Sequence, residues 1–129
     1  MQLLLDTHTF LWFIRGSPQL SAKAQETIED TANDVFLSIA SPWETSIKVS
    51  TGKLTLGRPV DEFFEERMRL NRIMFLPITL AHIACVSTLP FHHRDPFDRM
   101  LVAQSLTENI SLVSADAALD AYGVGRLWQ

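Results

Sequence analysis

Short apolar runs alternate along this chain with longer segments in which apolar residues recur every three or four positions. The short runs predict strands at residues 2–5, 35–39, 73–76 and 110–113, with a possible last strand at 124–128. The longer segments predict helices at 7–15, 21–30, 41–52, 61–71, 79–89, 95–108 and 116–122. Strands that alternate with helices indicate a parallel sheet covered on both faces.

Four acidic residues stand where these signals end a strand or begin a helix: Asp6, Glu44, Asp98 and Asp116. Open α/β sheets bind ligands outside the carboxyl ends of their strands, so we expect the four side chains to lie together. Neighbouring carboxylates repel one another and would not all stay ionised without a cation. Because their oxygen ligands suit Mg²⁺ or Mn²⁺, the pattern predicts a hard-metal site.

Each acid also has a purely local explanation. Asp6, Asp95 and Asp116 are all placed to cap the helix that follows them. Ser41 and Glu44 have the spacing of a capping box, in which the glutamate reaches back to the first amide of the helix. Capping is the stronger local interpretation for Glu44, whereas the joint placement of the acids favours a shared site.

The histidines offer a competing metal site. His92 and His93 are adjacent, so they do not share a helix face, and no cysteine or histidine spacing typical of zinc accompanies them. A solvated loop is the favoured interpretation of this pair. His8, two residues after Asp6, is favoured as a helix-face side chain over a residue of the cleft, and His82 as a residue at the edge of the core.

Composition narrows the class of protein. The chain has 129 residues, is 47% hydrophobic and 20% charged, and is expected to form one domain. Its longest apolar run is far shorter than the roughly 20 residues that span a bilayer, and no export signal is visible at the start. The single cysteine, Cys85, excludes an internal disulfide and is expected to be buried and inert. These features predict a cytoplasmic protein.

The net charge of −4 makes the protein a poor general binder of nucleic acid. Without the four acids of the predicted site the charge is −4 + 4 = 0, so the acidity does not exclude an RNA or phosphate substrate. It makes binding of such a substrate dependent on metal. Lys48, Arg94 and Arg99 are candidates for phosphate contacts, with ordinary surface salt bridges as an equally good alternative.

The aromatic residues are expected to lie mostly in the core. They are Phe10, Trp12, Phe13, Trp43, Phe63 and Phe64. The helix at 61–71 places Phe63, Phe64 and Met68 on one face together with Val60. Part of this surface and of the apolar start of the Trp43 helix is an alternative candidate for a groove that leads to the acids and binds a protein partner.

Four blocks of the chain resemble a known family. They are LLLDTH at 3–8, SPWETSIK at 41–48, HRDPFDRMLVAQ at 93–104 and LVSAD at 112–116. In order and spacing they look like a PIN domain, and more closely like the VapC-type toxins of bacterial type II toxin–antitoxin pairs. The third block is the most specific of the four, and the resemblance covers essentially the whole chain.

The resemblance implies a three-layer α/β/α sandwich with a central parallel sheet of four to five strands. It also implies an Mg²⁺- or Mn²⁺-dependent endoribonuclease that is inhibited by a cognate antitoxin. Such a protein forms a homodimer, or a hetero-oligomer with the antitoxin. Matched motif to motif, the metal-binding and catalytic acids are Asp6, Glu44, Asp98 and Asp116, and Asp95 is an additional acid that assists. All four matched positions are acidic, which favours an active enzyme.

Three other classes remain open. A PIN-like protein that binds RNA or a partner without cleaving it would share these motifs. A phosphatase of the haloacid dehalogenase type also begins with a strand followed by aspartate, but it normally has a second aspartate where this chain has His8. A phosphoacceptor receiver domain would need a late lysine, and no lysine follows Lys53.

Overall fold

A five-stranded parallel sheet forms the centre of the protein, seen in a computed structural model that describes residues 1–129. The strands are β1 (Gln2–Leu5), β2 (Asp34–Ser38), β3 (Met74–Leu76), β4 (Ser111–Val113) and β5 (Arg126–Leu127). The helices are α1 (Thr7–Arg15), α2 (Ala22–Glu29), α3 (Ala40–Ser50), α4 (Val60–Asn71), α5 (Leu80–Thr88) and α6 (Pro96–Glu108), and a 3₁₀ helix (Ala117–Tyr122) precedes β5.

The strand order β3-β2-β1-β4-β5 places the first strand at the centre of the sheet. Leu4 pairs with Phe36 on one side and with Leu112 on the other. Because β1 is covered on both faces, its sequence is a continuous apolar run rather than an alternating one. The chain leaves β1 toward β2 and returns on the other side at β4, so the carboxyl ends of β1 and β4 form a topological switch point, where α/β proteins place their ligands. The predicted parallel sheet and its α/β/α layers are confirmed.

Two hydrophobic cores cover the two faces of this sheet. Leu3 and Leu5 point into one core with Phe10 and Phe64, whose rings stack 5.6 Å apart, while Leu4 points into the other. The core prediction is correct for Phe10, Phe63 and Phe64, and Trp12 and Phe13 pack at its edge. It is wrong for Trp43, whose side chain is 62% exposed.

Two further expectations about helices are corrected. Helix α3 was expected to begin at Ser41, but it begins at Ala40, one residue after the end of β2. Ser38 Oγ accepts the Ala40 N–H at 3.1 Å. Ser41 therefore lies inside the helix and caps nothing. The expected buried face around Cys85 is only partly buried, since Ile83 is 51% exposed and Leu80 is 83% exposed. None of the helices combines the length and the apolar character needed to cross a membrane.

Candidate active site

Asp6 is placed by the end of the central strand. Its backbone N–H donates to Val113 O at 3.1 Å, which continues the pairing of β1 with β4. Its side chain is buried, and Oδ1 accepts the Thr9 N–H at 2.7 Å as the N-cap of α1. The cap uses one carboxylate oxygen, and Oδ2 has no hydrogen-bond partner within the protein. Asp6 therefore caps a helix and still offers an oxygen to a ligand.

Glu44 is held by Thr7 and not by its own helix. Thr7 Oγ1 donates to Glu44 Oε1 at 2.7 Å and also lies 2.9 Å from Ser41 Oγ. Lys48 Nζ approaches Glu44 Oε2 at 3.5 Å from the next turn. The capping-box interpretation of Glu44 is wrong, because Glu44 lies more than one turn inside α3, too far from the exposed amides at its start. Thr7 follows Asp6 directly, so its hydroxyl connects Glu44 to the end of β1.

Asp98 lies in the first turn of α6, behind a strong cap. Asp95 Oδ1 accepts the amides of Phe97 at 2.8 Å and of Asp98 at 3.4 Å, and Pro96 occupies the first helical position. The predicted cap at Asp95 is confirmed. Because the cap is supplied by Asp95, the Asp98 carboxylate is not needed by the helix start.

His93 connects Asp98 to Asp116, and sequence reasoning missed this residue. Its Nε2 lies 3.2 Å from Asp116 Oδ2 and 3.4 Å from Asp98 Oδ2, and the three atoms are within 4.8 Å of one another. Nδ1 accepts the Asp95 N–H at 3.2 Å, so the proton of the neutral ring is on Nε2, which then donates to the carboxylates. The solvated-loop interpretation holds for the exposed His92 and fails for His93. The only feature of the sequence that pointed to His93 was its position two residues before Asp95.

Asp116 follows β4 and begins the 3₁₀ helix. Its Oδ1 accepts the Ala118 N–H at 3.0 Å, while its own N–H donates to the buried Ser114 Oγ at 3.1 Å. As with Asp6, one carboxylate oxygen makes a cap and the other, Oδ2, points to the other acids through His93.

The pKa of Asp98 reflects its burial and the nearby acids. Burial raises the pKa of this carboxyl to about 7, and the charges of Asp95, Asp6 and Glu44 add to the increase, while His93 opposes it. An ionised Asp98 is therefore unfavourable in the protein alone. A bound cation would relieve the repulsion.

The donor set fits a hard divalent cation. The acids at the switch point supply carboxylate oxygens, which Mg²⁺ and Mn²⁺ prefer. Asp6 Oδ2 has no hydrogen-bond partner in the protein, and His93 Nε2 lies within 3.4 Å of the Asp98 and Asp116 carboxylates. The residues present thus fit a divalent cation held mainly by carboxylate oxygens.

Arg99, a candidate for a phosphate contact, and His8, a candidate for the cleft, do not join the acids. Arg99 is buried, and its guanidinium donates to the carbonyls of Val86, Leu89 and Pro90 at 2.8–3.2 Å, so it fixes the end of α5 and is not available to phosphate. His8 is exposed and packs against Trp12, with 5.8 Å between ring centroids, which confirms the helix-face interpretation.

The sequence is similar to those of known proteins. The family model described as PIN domain matches residues 3–125. Ribonuclease VapC16 of Mycobacterium tuberculosis is 37% identical over 71 residues, which are 52% of this chain and 50% of that protein. The chain thus spans about half the length of the curated relative that it matches.

Solved structures share the whole fold at low sequence identity. A chain of VapBC2 from Rickettsia felis, bound to a DNA fragment from their promoter, matches with a TM-score of 0.72 and 14% identity, covering 100% of both chains. A chain of VapBC-1 from nontypeable Haemophilus influenzae matches with a TM-score of 0.66 and 16% identity, covering 100% of this chain and 97% of that one. At these identities the likeness establishes the fold.

Proposed function

This chain belongs to the PIN domain family, and we propose from that premise that it is a metal-dependent endoribonuclease and the toxin of a toxin–antitoxin pair. The proposed metal-binding and catalytic acids are Asp6, Glu44, Asp98 and Asp116, with Asp95 assisting through its charge. The relative named Ribonuclease VapC16 supports the activity, and the VapBC complexes support the partner.

The observation that carries the proposal is the raised pKa of Asp98. Burial and the charges of three other acids raise this pKa to about 7, so the site holds more negative charge than it can stabilise by itself. Sites of this kind are enriched among functional ones. A divalent cation is the simplest partner that would keep all the carboxylates ionised near neutral pH.

Asp6, Glu44, Asp98 and Asp116 would hold the cation, which is Mg²⁺ or Mn²⁺ in this proposal. When bound, such an ion supplies a Lewis acid for the phosphate and lowers the pKa of water at neutral pH. The protein orients the acids: Thr7 fixes Glu44 through a 2.7 Å hydrogen bond. His93 Nε2–H, which lies between Asp98 and Asp116, orients these two carboxylates.

The proposed antitoxin binds in an apolar groove beside these acids. A cavity of about 210 Å³ is lined by Ala40, Trp43, Ile78, Val86, Pro96, Phe97 and Met100. Trp43 meets Phe97 edge to face with 5.1 Å between ring centroids, and these residues directly precede Glu44 and Asp98 in the chain. Of the residues expected to form the groove, Trp43 lines this cavity, whereas Phe63, Phe64 and Met68 are buried in the core. An apolar antitoxin helix would fill the groove and offer an arginine or lysine to the acids.

Oligomerisation is part of the same proposal. The outer face of α5 exposes Leu80 at 83% and Ile83 at 51%, which are costly to leave in water. We expect this face to contribute to a homodimer or to the toxin–antitoxin hetero-oligomer. Light scattering after size exclusion, on the wild type and on Leu80→Glu, tests that expectation: an unchanged mass for the variant would contradict it.

The nuclease proposal is tested by RNA cleavage in millimolar Mg²⁺ or Mn²⁺. We expect single-stranded RNA to be cut by the wild type, and not in EDTA or by Asp6→Asn. Asp30→Asn is the matched control, since Asp30 is an exposed cap at the end of α2, at the opposite end of the sheet from Asp6. Equal activity of Asp6→Asn and Asp30→Asn would exclude the acidic site, and RNA binding without cleavage would favour a silent binding module.

The partner is tested by expressing the protein together with the genes that flank its own and purifying what binds to it. We expect a stable complex that does not cleave RNA and that releases activity when the partner is removed. Hydrogen exchange should show protection around Trp43 and Phe97. Protection confined to surfaces remote from these residues and from the acids would exclude the groove.

A further inference from the structure

A second pocket is formed in part by the residues on either side of Asp116. It has a volume of about 400 Å³ and is lined by Ala115, Ala117, Arg126, Trp128 and Gln129. Asp116 lies between two of the lining residues in the chain, so one of the proposed metal-binding acids is adjacent in sequence to the pocket lining. The apolar groove does not share any lining residue with it.

Trp128 forms the aromatic wall of this pocket and is held in place from behind. Its indole packs against Trp12, with ring centroids 5.9 Å apart and planes inclined by 58°. Its carbonyl oxygen accepts a hydrogen bond from Ser21 Oγ, and its side chain packs against the core that contains Phe10. The wall is therefore pre-organised, and a ligand would not have to immobilise it.

Arg126 forms a second, flat wall. Nε and one terminal nitrogen of its guanidinium donate to Asp120 at 2.8 and 3.1 Å, and the other terminal nitrogen donates to Ser114 O at 3.0 Å. These bonds fix the plane of the group and neutralise its charge. Arg126 is thus suited to stack against a flat ligand more than to attract a phosphate.

We propose that this pocket receives one unpaired base of the RNA, stacked on the Trp128 indole next to the cleaved phosphate. The inference rests on the proposed nuclease function and adds a substrate subsite to it. Aromatic side chains bind the bases of single-stranded nucleic acid by stacking, because every base has a flat π-face. Alanine side chains at 115 and 117 leave the space open for a base.

Part of the subsite lies outside the range that the family model matches. The family model ends its match at residue 125, and Arg126, Trp128 and Gln129 lie beyond that point. The acids that we assign to chemistry all lie within the matched range. We therefore expect base preference beside the cleavage site to depend in part on residues outside that range.

The test measures steady-state cleavage of a fluorescein-labelled single-stranded RNA in Mg²⁺. Trp128→Ala should raise KM about tenfold with kcat nearly unchanged, because stacking contributes to binding and not to the chemical step. Trp128→Phe should retain most of the affinity. An RNA with an abasic position next to the cleavage site should bind equally to the wild type and to Trp128→Ala, since the stacked group is then missing.

Two further variants separate stacking from loss of structure. Ala117→Leu fills the pocket without touching the contact between Trp12 and Trp128, and it should raise KM in the same way. Phe75→Ala removes a 36% exposed aromatic from β3, at the opposite edge of the sheet, and should leave KM unchanged. Thermal melting of each variant checks that it is folded.

Several outcomes would overturn the subsite. Unchanged KM and cleavage pattern in both Trp128→Ala and Ala117→Leu would refute it while the nuclease proposal stands. Loss of antitoxin inhibition with normal RNA kinetics would assign the pocket to the protein partner instead. If the wild type does not cleave RNA at all, the nuclease proposal fails. Fluorescence anisotropy of the same RNA then decides the subsite by itself, and equal binding by wild type and Trp128→Ala would reject it.

Discussion

Replacing Asp98 by asparagine is expected to stabilise the metal-free protein while abolishing its activity. The carboxyl is half-buried among other acids, and its pKa is raised from 3.8 to about 7, first by burial and then by the charge of Asp95. Above pH 7 the folded protein must hold this group ionised in unfavourable surroundings, whereas the unfolded chain holds it ionised in water. Asparagine removes that cost and keeps an oxygen that can accept the hydrogen bond from His93.

The magnitude follows from the size of the shift. A change from 3.8 to about 7 corresponds to roughly 4 kcal/mol at about 1.36 kcal/mol for each pKa unit. The side chain remains 28% exposed, so solvent screening reduces the expected gain to about 2 kcal/mol. The loss of a negative charge in the first turn of α6 subtracts about 0.5–1 kcal/mol. We therefore expect a net gain of about 1 kcal/mol, or a rise of roughly 3–5 °C in Tm.

The same pKa shift determines how the stability of the folded protein changes with pH. Because the folded pKa is above the unfolded one, the folded state binds more protons between about pH 4 and 7, and ionisation of Asp98 lowers wild-type stability across that window. The cost from Asp98 is small below pH 4 and constant above pH 7. The difference between Asp98→Asn and wild type should thus grow from pH 4 to 7 and then level off.

The assay is urea unfolding in EDTA at pH 5 and pH 8, followed by circular dichroism. Asp120→Asn is the matched control, because the pKa of Asp120 is lowered by its hydrogen bonds with Arg126, so its replacement should not stabilise. The reasoning is refuted if Asp98→Asn unfolds at lower urea than the wild type at pH 8, or if its advantage is larger at pH 5 than at pH 8.

Four further predictions concern the site and its support. Millimolar Mg²⁺ or Mn²⁺ should raise the Tm of the wild type, and EDTA should reverse the rise, because a ligand of the folded state stabilises it by mass action; an unchanged Tm would count against the metal. Thr7→Val should lower kcat/KM about tenfold by leaving Glu44 Oε1 without its donor, and Thr7→Ser should restore it. His93→Ala should raise the pKa of Asp98 further, since His93 now lowers it, as carboxyl carbon NMR shifts would report; a lower pKa would contradict the assignment. Arg99→Lys should destabilise the protein by about 2 kcal/mol through lost contacts with three carbonyls, which denaturant unfolding would measure; equal stability would reject that role.

Local sequence signals were sufficient for the elements and for most of the caps. The run Leu3-Leu4-Leu5 indicated a central strand, because only a strand buried on both faces is apolar at every position. Asp6 and Asp95 were recognisable as caps because capping involves amides only two or three residues away. The parallel sheet followed from the alternation of strands and helices, which needs no knowledge of the three-dimensional contacts.

The tertiary structure alone decided which side chains meet at the site. Thr7 and Glu44 are 37 residues apart, and His93 and Asp116 are 23 apart, so neither pair leaves a local pattern. Trp43 looked like a core residue because its apolar character is local information, whereas its 62% exposure depends on what packs around α3. Periodicity and capping are interactions within one or two helical turns. Contacts between elements depend on strand order and on the direction of each side chain, and these are fixed only when the sheet assembles.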